Sequence, residues 1–153
     1  MKIKMTLACI ATAFVLAACG GGSAPAASDK GQISENRTTA FKAMMPDFSS
    51  MGKMVKGEET YDVEKFKTHA VAFAENAKKP FEFFQNDPQG NGDALPNIWE
   101  KPAEYQAEQD KFLAAVANLN AKAQTGNLEE IKVAYGEVGA SCKACHDTYR
   151  RPK

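Results

Sequence analysis

Apolar side chains recur along this chain at intervals of three and four, the spacing of one face of an α-helix. Ile33, Phe41, Met44, Phe48, Met51 and Val55 draw the first stripe, with Arg37 in the same register. Pro46 falls inside it. Proline removes one backbone donor and crowds the turn before it, so the stripe predicts a helix that kinks or breaks there and stops at Gly57. Asp62 suits the N-cap of a second helix with Val63, Phe66, Ala70, Phe73 and Ala77 turned inward, and Pro80 ends it. Residues 80–101 form a long connection rich in turn residues. Phe81, Phe83, Phe84, Ile98 and Trp99 within it must lie on a core, so it reads as a packed loop. Pro102 suits the first turn of a third helix burying Tyr105, Phe112, Val116, Leu119 and Ala123, with Gly126 as its stop. Asn127 and Glu130 make a capping-box-like start to a fourth, whose stripe runs Leu128, Ile131, Tyr135, Val138, Cys142, Cys145, Tyr149 without a miss. No run alternates with period two. The expected fold is all-α: an antiparallel four-helix bundle with a long crossover loop between helices 2 and 3.

The first residues follow a different pattern. Lys2 and Lys4 precede an almost unbroken apolar run from Leu7 to Leu16, the layout of an export signal. About 20 apolar residues are needed to span a bilayer, and this run is shorter. It ends Leu16-Ala17-Ala18-Cys19-Gly20. That resembles the lipobox of bacterial lipoproteins, in which the cysteine becomes the lipid-bearing N-terminus; the plain alternative is an ordinary signal cut at a small residue nearby. Residues 1–18 are expected to be a lipoprotein signal, Cys19 the lipidated residue, 19–32 a flexible Gly, Ala and Ser-rich tether, and 33–153 the folded domain. Gly20 after the cysteine resembles lipoproteins sorted to the outer membrane. The protein would then sit on the periplasmic side of the envelope, held by its acyl chains without crossing the membrane.

Charge and cysteine count narrow the chemistry. The formal charge of zero becomes −2 once a leader carrying Lys2, Lys4 and no acidic residue is removed, and no basic face suggests nucleic acid. Cys9 leaves with the leader and lipid takes Cys19, so Cys142 and Cys145 remain and a multi-bridge disulfide scaffold is excluded. These two belong to Cys142-Lys143-Ala144-Cys145-His146, and C-x-x-C-H is the signature of covalent haem attachment. The spacing has a geometric reason. Helical residues three apart lie on nearly one side, so both thiols reach the vinyl groups along one porphyrin edge. His146 then turns its imidazole toward the iron. Three rivals stand beside this reading. Zinc would need four ligands, with His69 the only other nitrogen donor of the right type. A thioredoxin-like redox pair expects a βαβ setting. The plainest alternative is two small buried side chains followed by a surface histidine. Export favours haem, because its covalent attachment takes place outside the bacterial cytoplasm.

The segment VGASCKACHDTYR at 138–150, the stretch Asn97-Ile98-Trp99, Arg37, and Met54-Val55-Lys56-Gly57 together resemble cytochrome c′. The likeness runs from about residue 33 to the end. It implies a class II cytochrome c: a four-helix bundle carrying one haem c near one end, usually a homodimer, with five-coordinate iron that binds nitric oxide and carbon monoxide. Family members are associated with protection against nitric oxide. By the same resemblance Cys142 and Cys145 match the thioether cysteines and His146 the proximal iron ligand. Arg37 matches an arginine near the haem propionates, and Thr38 stands where glutamine is common. Asp93 matches a loop position near the haem, and Arg150 an arginine on the proximal side; for Arg150 a solvated charge at a helix C-terminus is the alternative.

Phe41, one turn after Arg37, falls by this alignment over the distal face of the haem. It can block that face but cannot coordinate iron. Met44 and Met45 are the candidates for a second axial ligand, as in six-coordinate class II cytochromes that carry electrons, although methionines on a helical face are commonly core filler. His69 is a remoter candidate. The expected function is gas binding at the cell envelope. The alternative is an electron carrier serving a redox partner. Enzymatic turnover ranks last, because Phe41 offers no distal acid or base.

Overall fold

The computed structural model describes residues 29–152. The expected leader 1–18, the lipid-bearing Cys19 and most of the tether lie outside the described residues. The elements are α1 (Gln32–Lys56), α2 (Val63–Asn76), a 3-10 turn (Lys79–Phe83), a short α3 (Asn97–Glu100), α4 (Pro102–Thr125) and α5 (Leu128–Tyr149). Among the described residues the only β pairing is two isolated bridges, Lys30 with Asn91 and Ala94 with Arg150. α1 packs on α2, α2 on α4, α4 on α5 and α5 back on α1, which closes a four-helix bundle. Short links at 57–62 and 126–127 make each flanking pair antiparallel. The 3-10 turn and α3 lie within the long crossover. No described helix is long and apolar enough to cross a membrane.

The stops and caps act as the pattern predicts. The Asp62 side chain accepts from Lys65 N at 2.8 Å, and Gly57 and Gly126 end α1 and α4 at φ 74° and 71°. Only at such left-handed positions does glycine's freedom count. One half of the capping box forms. Asn127 Oδ1 accepts from Glu129 N and Glu130 N, but Glu130 turns its carboxylate to Lys122 at 2.9 Å, and Thr125 Oγ1 receives Asn127 N instead. The core is Met44, Met51, Met54, Phe66, Phe73, Phe112, Val116, Leu119, Ile131 and Val138, with small alanines between them.

Two expectations are corrected. Of the kink or break expected at Pro46, the break does not occur: α1 runs unbroken through it. The carbonyl that loses its partner belongs to Lys42, four residues back on the exposed side of the helix, where water can satisfy it, while Met44, Met51 and Met54 pin both halves of the helix into the core. The tether also ends earlier than Gln32. Gly31 N donates to Gly90 O at 2.9 Å and Gly92 N to Asp29 O at 3.0 Å, so residues 29–31 are sewn to the crossover.

Candidate functional site

α5 presents Cys142 and Cys145 three residues apart, with His146 in its last turn. Both thiols are free, and Cys142 packs against the core. Burial, with Cys145 adding to it, pushes the Cys142 thiol up to about 11. Burial and then Glu108 raise Cys145. A dithiol redox pair needs the opposite, thiolates favoured by a helix N-terminus or nearby cations; this pair lies toward a C-terminus. Among the described residues no three His, Cys, Asp or Glu side chains are grouped to hold a metal, so zinc has no ligand set. His69, on α2, is joined to Asp47 Oδ1 of α1 at 2.9 Å. What remains is a pair of partly buried sulfurs, that of Cys142 on the core, suited to neutral thioethers.

An aromatic chain leads away from this end of α5. Tyr149 meets Tyr105 of α4 edge-on at 5.2 Å, and Tyr105 meets Phe84 at 5.0 Å. Phe84 stacks on Phe81 at 5.9 Å, and Phe41 of α1 stands edge-on to both, at 6.1 and 6.2 Å. Each such pair is worth about 0.5–1.5 kcal/mol beyond its area, so the chain ties α1, the crossover, α4 and α5 together at one end of the bundle. In the same structure Tyr105 Oη, Ser141 Oγ and Arg150 Nε are buried with no hydrogen-bond partner. Leaving such a group unmet costs about 1–3 kcal/mol, and native interiors rarely do so. A wall of aromatic rings, two vinyl-spaced thiols, an imidazole and unmet donors fit a flat apolar macrocycle with a carboxylate rim and an iron centre. Cys142 and Cys145 could hold such a group, and His146 could ligate its metal.

The structure disposes the other expected residues as follows. Arg37 is 5% exposed. It donates from one terminal nitrogen to Phe83 O at 2.9 Å and from the other to Asn91 O at 2.7 Å, and its guanidinium lies 4.8 Å from the Phe84 ring centroid. It therefore staples the crossover to α1. The Thr38 hydroxyl is turned inward to Ser34 O at 2.9 Å, which leaves it only as an acceptor for anything else. Asp93 takes Arg151 N on its backbone oxygen at 2.8 Å, and Leu95 N donates to Tyr149 O at 2.9 Å. Asn97 Nδ2 donates to Thr148 O at 2.9 Å. The crossover is thus clipped to the end of α5, beside His146 and Arg150. Met44 is buried in the core, whereas Met45 is 48% exposed.

Sequence reasoning missed Asp87. Its carboxylate accepts from Ser34 N at 2.9 Å and caps α1 in place of Gly31, which has no side chain to do so. A Cβ on Gly31 would lie 2.1 Å from Asp87 Oδ1. The Ser34 bond foremost, helped by those of Gln89 and Ile33 and by Arg37, holds this carboxyl below its ordinary range. A cap reached across 53 residues leaves no local signal.

The family model for cytochrome c′ matches residues 32–150. The chain is 37% identical over 117 residues to cytochrome c′ of Alcaligenes xylosoxydans xylosoxydans, a match covering 76% of this chain and 91% of that protein. A nitric oxide complex of an Alcaligenes xylosoxidans cytochrome c prime variant superposes with TM-score 0.75 at 35% identity, over 79% of this chain and 94% of that one. A carbon monoxide-bound variant of the same protein superposes with TM-score 0.74 at 34% identity, over 78% and 94%.

Proposed function

The chain belongs to the cytochrome c′ family, and from that premise we propose that it is a five-coordinate haem protein of the cell envelope that binds nitric oxide and carbon monoxide and so protects against nitric oxide. Family membership makes covalently attached haem c its cofactor and marks it as a haem-binding protein, not an enzyme. Haem, when bound, would supply a redox-active iron able to take a diatomic gas. In this reading Cys142 and Cys145 anchor it, His146 is the proximal ligand, and Phe41 closes the distal side.

The observation that carries the proposal is the setting of Phe41. Its ring is bracketed edge-on by Phe81 and Phe84, which offers the distal face hydrocarbon and no donor. Such a wall stabilises neither bound dioxygen nor anionic ligands, whereas nitric oxide and carbon monoxide bind ferrous haem without that help. Replacing Phe41 by Ala tests it. Carbon monoxide and nitric oxide should associate faster with the variant in stopped-flow measurements; unchanged rates would mean that the ring does not guard the iron.

The alternative is a six-coordinate electron carrier serving a redox partner. It rests on Met44, whose buried side chain follows Phe41 by one helical turn. The envelope location rests on the lipobox-like Leu16-Ala17-Ala18-Cys19, with Cys19 carrying the lipid at the periplasmic side, in the outer membrane. A homodimer through the first two helices is supported by Met45 on α1 and Val71 on α2, large apolar side chains left 48% and 42% exposed.

A further inference from the structure

We propose that Tyr105 is a carboxylate-recognising residue of the haem site, its hydroxyl joining the Arg37 guanidinium as a second donor to one haem propionate. The inference rests on the haem reading above.

The first observation is the unmet hydroxyl. Tyr105 sits in the opening turn of α4, where its N–H is fixed to Lys101 O at 3.1 Å. Its ring is held between Phe84 and Tyr149, so the hydroxyl cannot swing out to water. It is buried with no partner, and burial raises its pKa far above the usual phenol range. The phenol is a neutral donor at every physiological pH. No neighbouring carbonyl lies within hydrogen-bond reach of it; Phe83 O and Asn91 O take Arg37, Phe84 O takes Trp99 Nε1, and Tyr149 O takes Leu95 N.

The second observation is independent. Arg37 is a buried cation whose two hydrogen-bonded acceptors are neutral carbonyls; no described carboxylate is in ion-pair contact with it, and Asp87 acts on it only through its field. A buried charge calls for an opposite charge. Guanidinium and phenol converge on one ring, Arg37 at 4.8 Å and Tyr105 at 5.0 Å from Phe84, and each lies within electrostatic reach of the other. A cation beside a neutral O–H donor is a receptor for a carboxylate, and propionates are the carboxylates that haem brings. With Cys145 held as a neutral thioether, the titratable and charged groups facing the hydroxyl are Arg37 from α1 and Tyr149 from α5.

The test compares the wild-type holoprotein with Tyr105→Phe, a change that removes one oxygen and keeps the ring. Tyr61→Phe, which deletes a tyrosine hydroxyl bonded to Gly126 O away from the site, is the control. Resonance Raman should show the propionate bending band displaced in Tyr105→Phe alone. The pH at which the reduction potential breaks should move up by roughly one unit, a tenfold gain in the propionate's proton affinity. In wild type the same band should shift on transfer to deuterium oxide, which requires no variant. A band and a break unmoved in Tyr105→Phe, the result if the hydroxyl meets only a buried water, would overturn the inference. The optical spectrum of the same samples reports iron coordination separately, so a six-coordinate spectrum would sink the gas-binding reading and leave the propionate result standing.

Discussion

Gly52 lies in the interior of α1, where alanine is ordinarily the better residue by about 0.5–1 kcal/mol. Here the packing reverses the sign. A Cβ at Gly52 would fall 2.3 Å from Tyr135 Oη and 3.1 Å from Cζ. The ring cannot retreat freely, because Tyr135 stacks on Phe48 with centroids 4.3 Å apart and planes at 12°, and its hydroxyl donates to Phe48 O at 3.1 Å. Moving it forfeits a hydrogen bond worth about 1 kcal/mol and disturbs a stack worth about 0.5–1.5 kcal/mol. After the propensity gain, Gly52→Ala should destabilise the protein by about 0.5–2 kcal/mol, with overpacking adding to the cost. Gly136 has nothing within 4 Å of its would-be Cβ, so Gly136→Ala should stabilise by about 0.5–1 kcal/mol. Thermal unfolding of the two holoproteins should move in opposite directions, by roughly 4 °C for each kcal/mol. In a Tyr135→Phe background the hydroxyl is gone, and Gly52→Ala should cost about 1 kcal/mol less, a coupling normal for side chains in contact. If both alanine variants raise the melting temperature, the close approach of Tyr135 to Gly52 is wrong.

Two further outcomes follow from the same geometry and sequence. The Asp87 carboxyl is held below its ordinary range in the fold, so near its unfolded pKa the unfolded chain binds more protons. Its stabilisation is complete above that value and is lost as pH falls through the folded pKa. Urea midpoints measured from pH 6 down to pH 3 should therefore show the wild-type advantage over Asp87→Asn shrinking with acid; a constant gap would contradict the capping role. Replacing Cys19 by Ser should move the exported protein from the detergent phase to the aqueous phase, and equal partitioning would remove the lipid anchor.

Helix positions were legible because a bundle writes its core into the sequence at three-four spacing. The α5 stripe from Leu128 to Tyr149 matches the helix from end to end, and Asp62, Pro102, Gly57 and Gly126 punctuate as their chemistry requires. Cys142, Cys145 and His146 could be singled out from the sequence because the chemistry proposed for them depends on local spacing. What escaped depends on partners distant in sequence. Asp87 caps a helix that begins far upstream, Glu130 preferred Lys122 on α4 to the backbone it was expected to cap, and Arg37 spends two donors on crossover carbonyls that no helical pattern places beside it. Tyr105 read as one more core aromatic, since periodicity counts its ring and is blind to whether its hydroxyl finds an acceptor. The break expected as one outcome at Pro46 is absent for a similar reason. The rule that proline breaks a helix assumes nothing else holds the two halves, and here the methionines of α1 do.

The central claim is an iron with one open axial position beneath Phe41. Optical and paramagnetic resonance spectra of the purified ferric and ferrous holoprotein, recorded for wild type and Met44→Leu, test it most directly. High-spin five-coordinate spectra, the same in both proteins, are the predicted result. A low-spin wild-type spectrum that becomes high-spin in Met44→Leu would contradict it, making the methionine the second ligand and the protein an electron carrier.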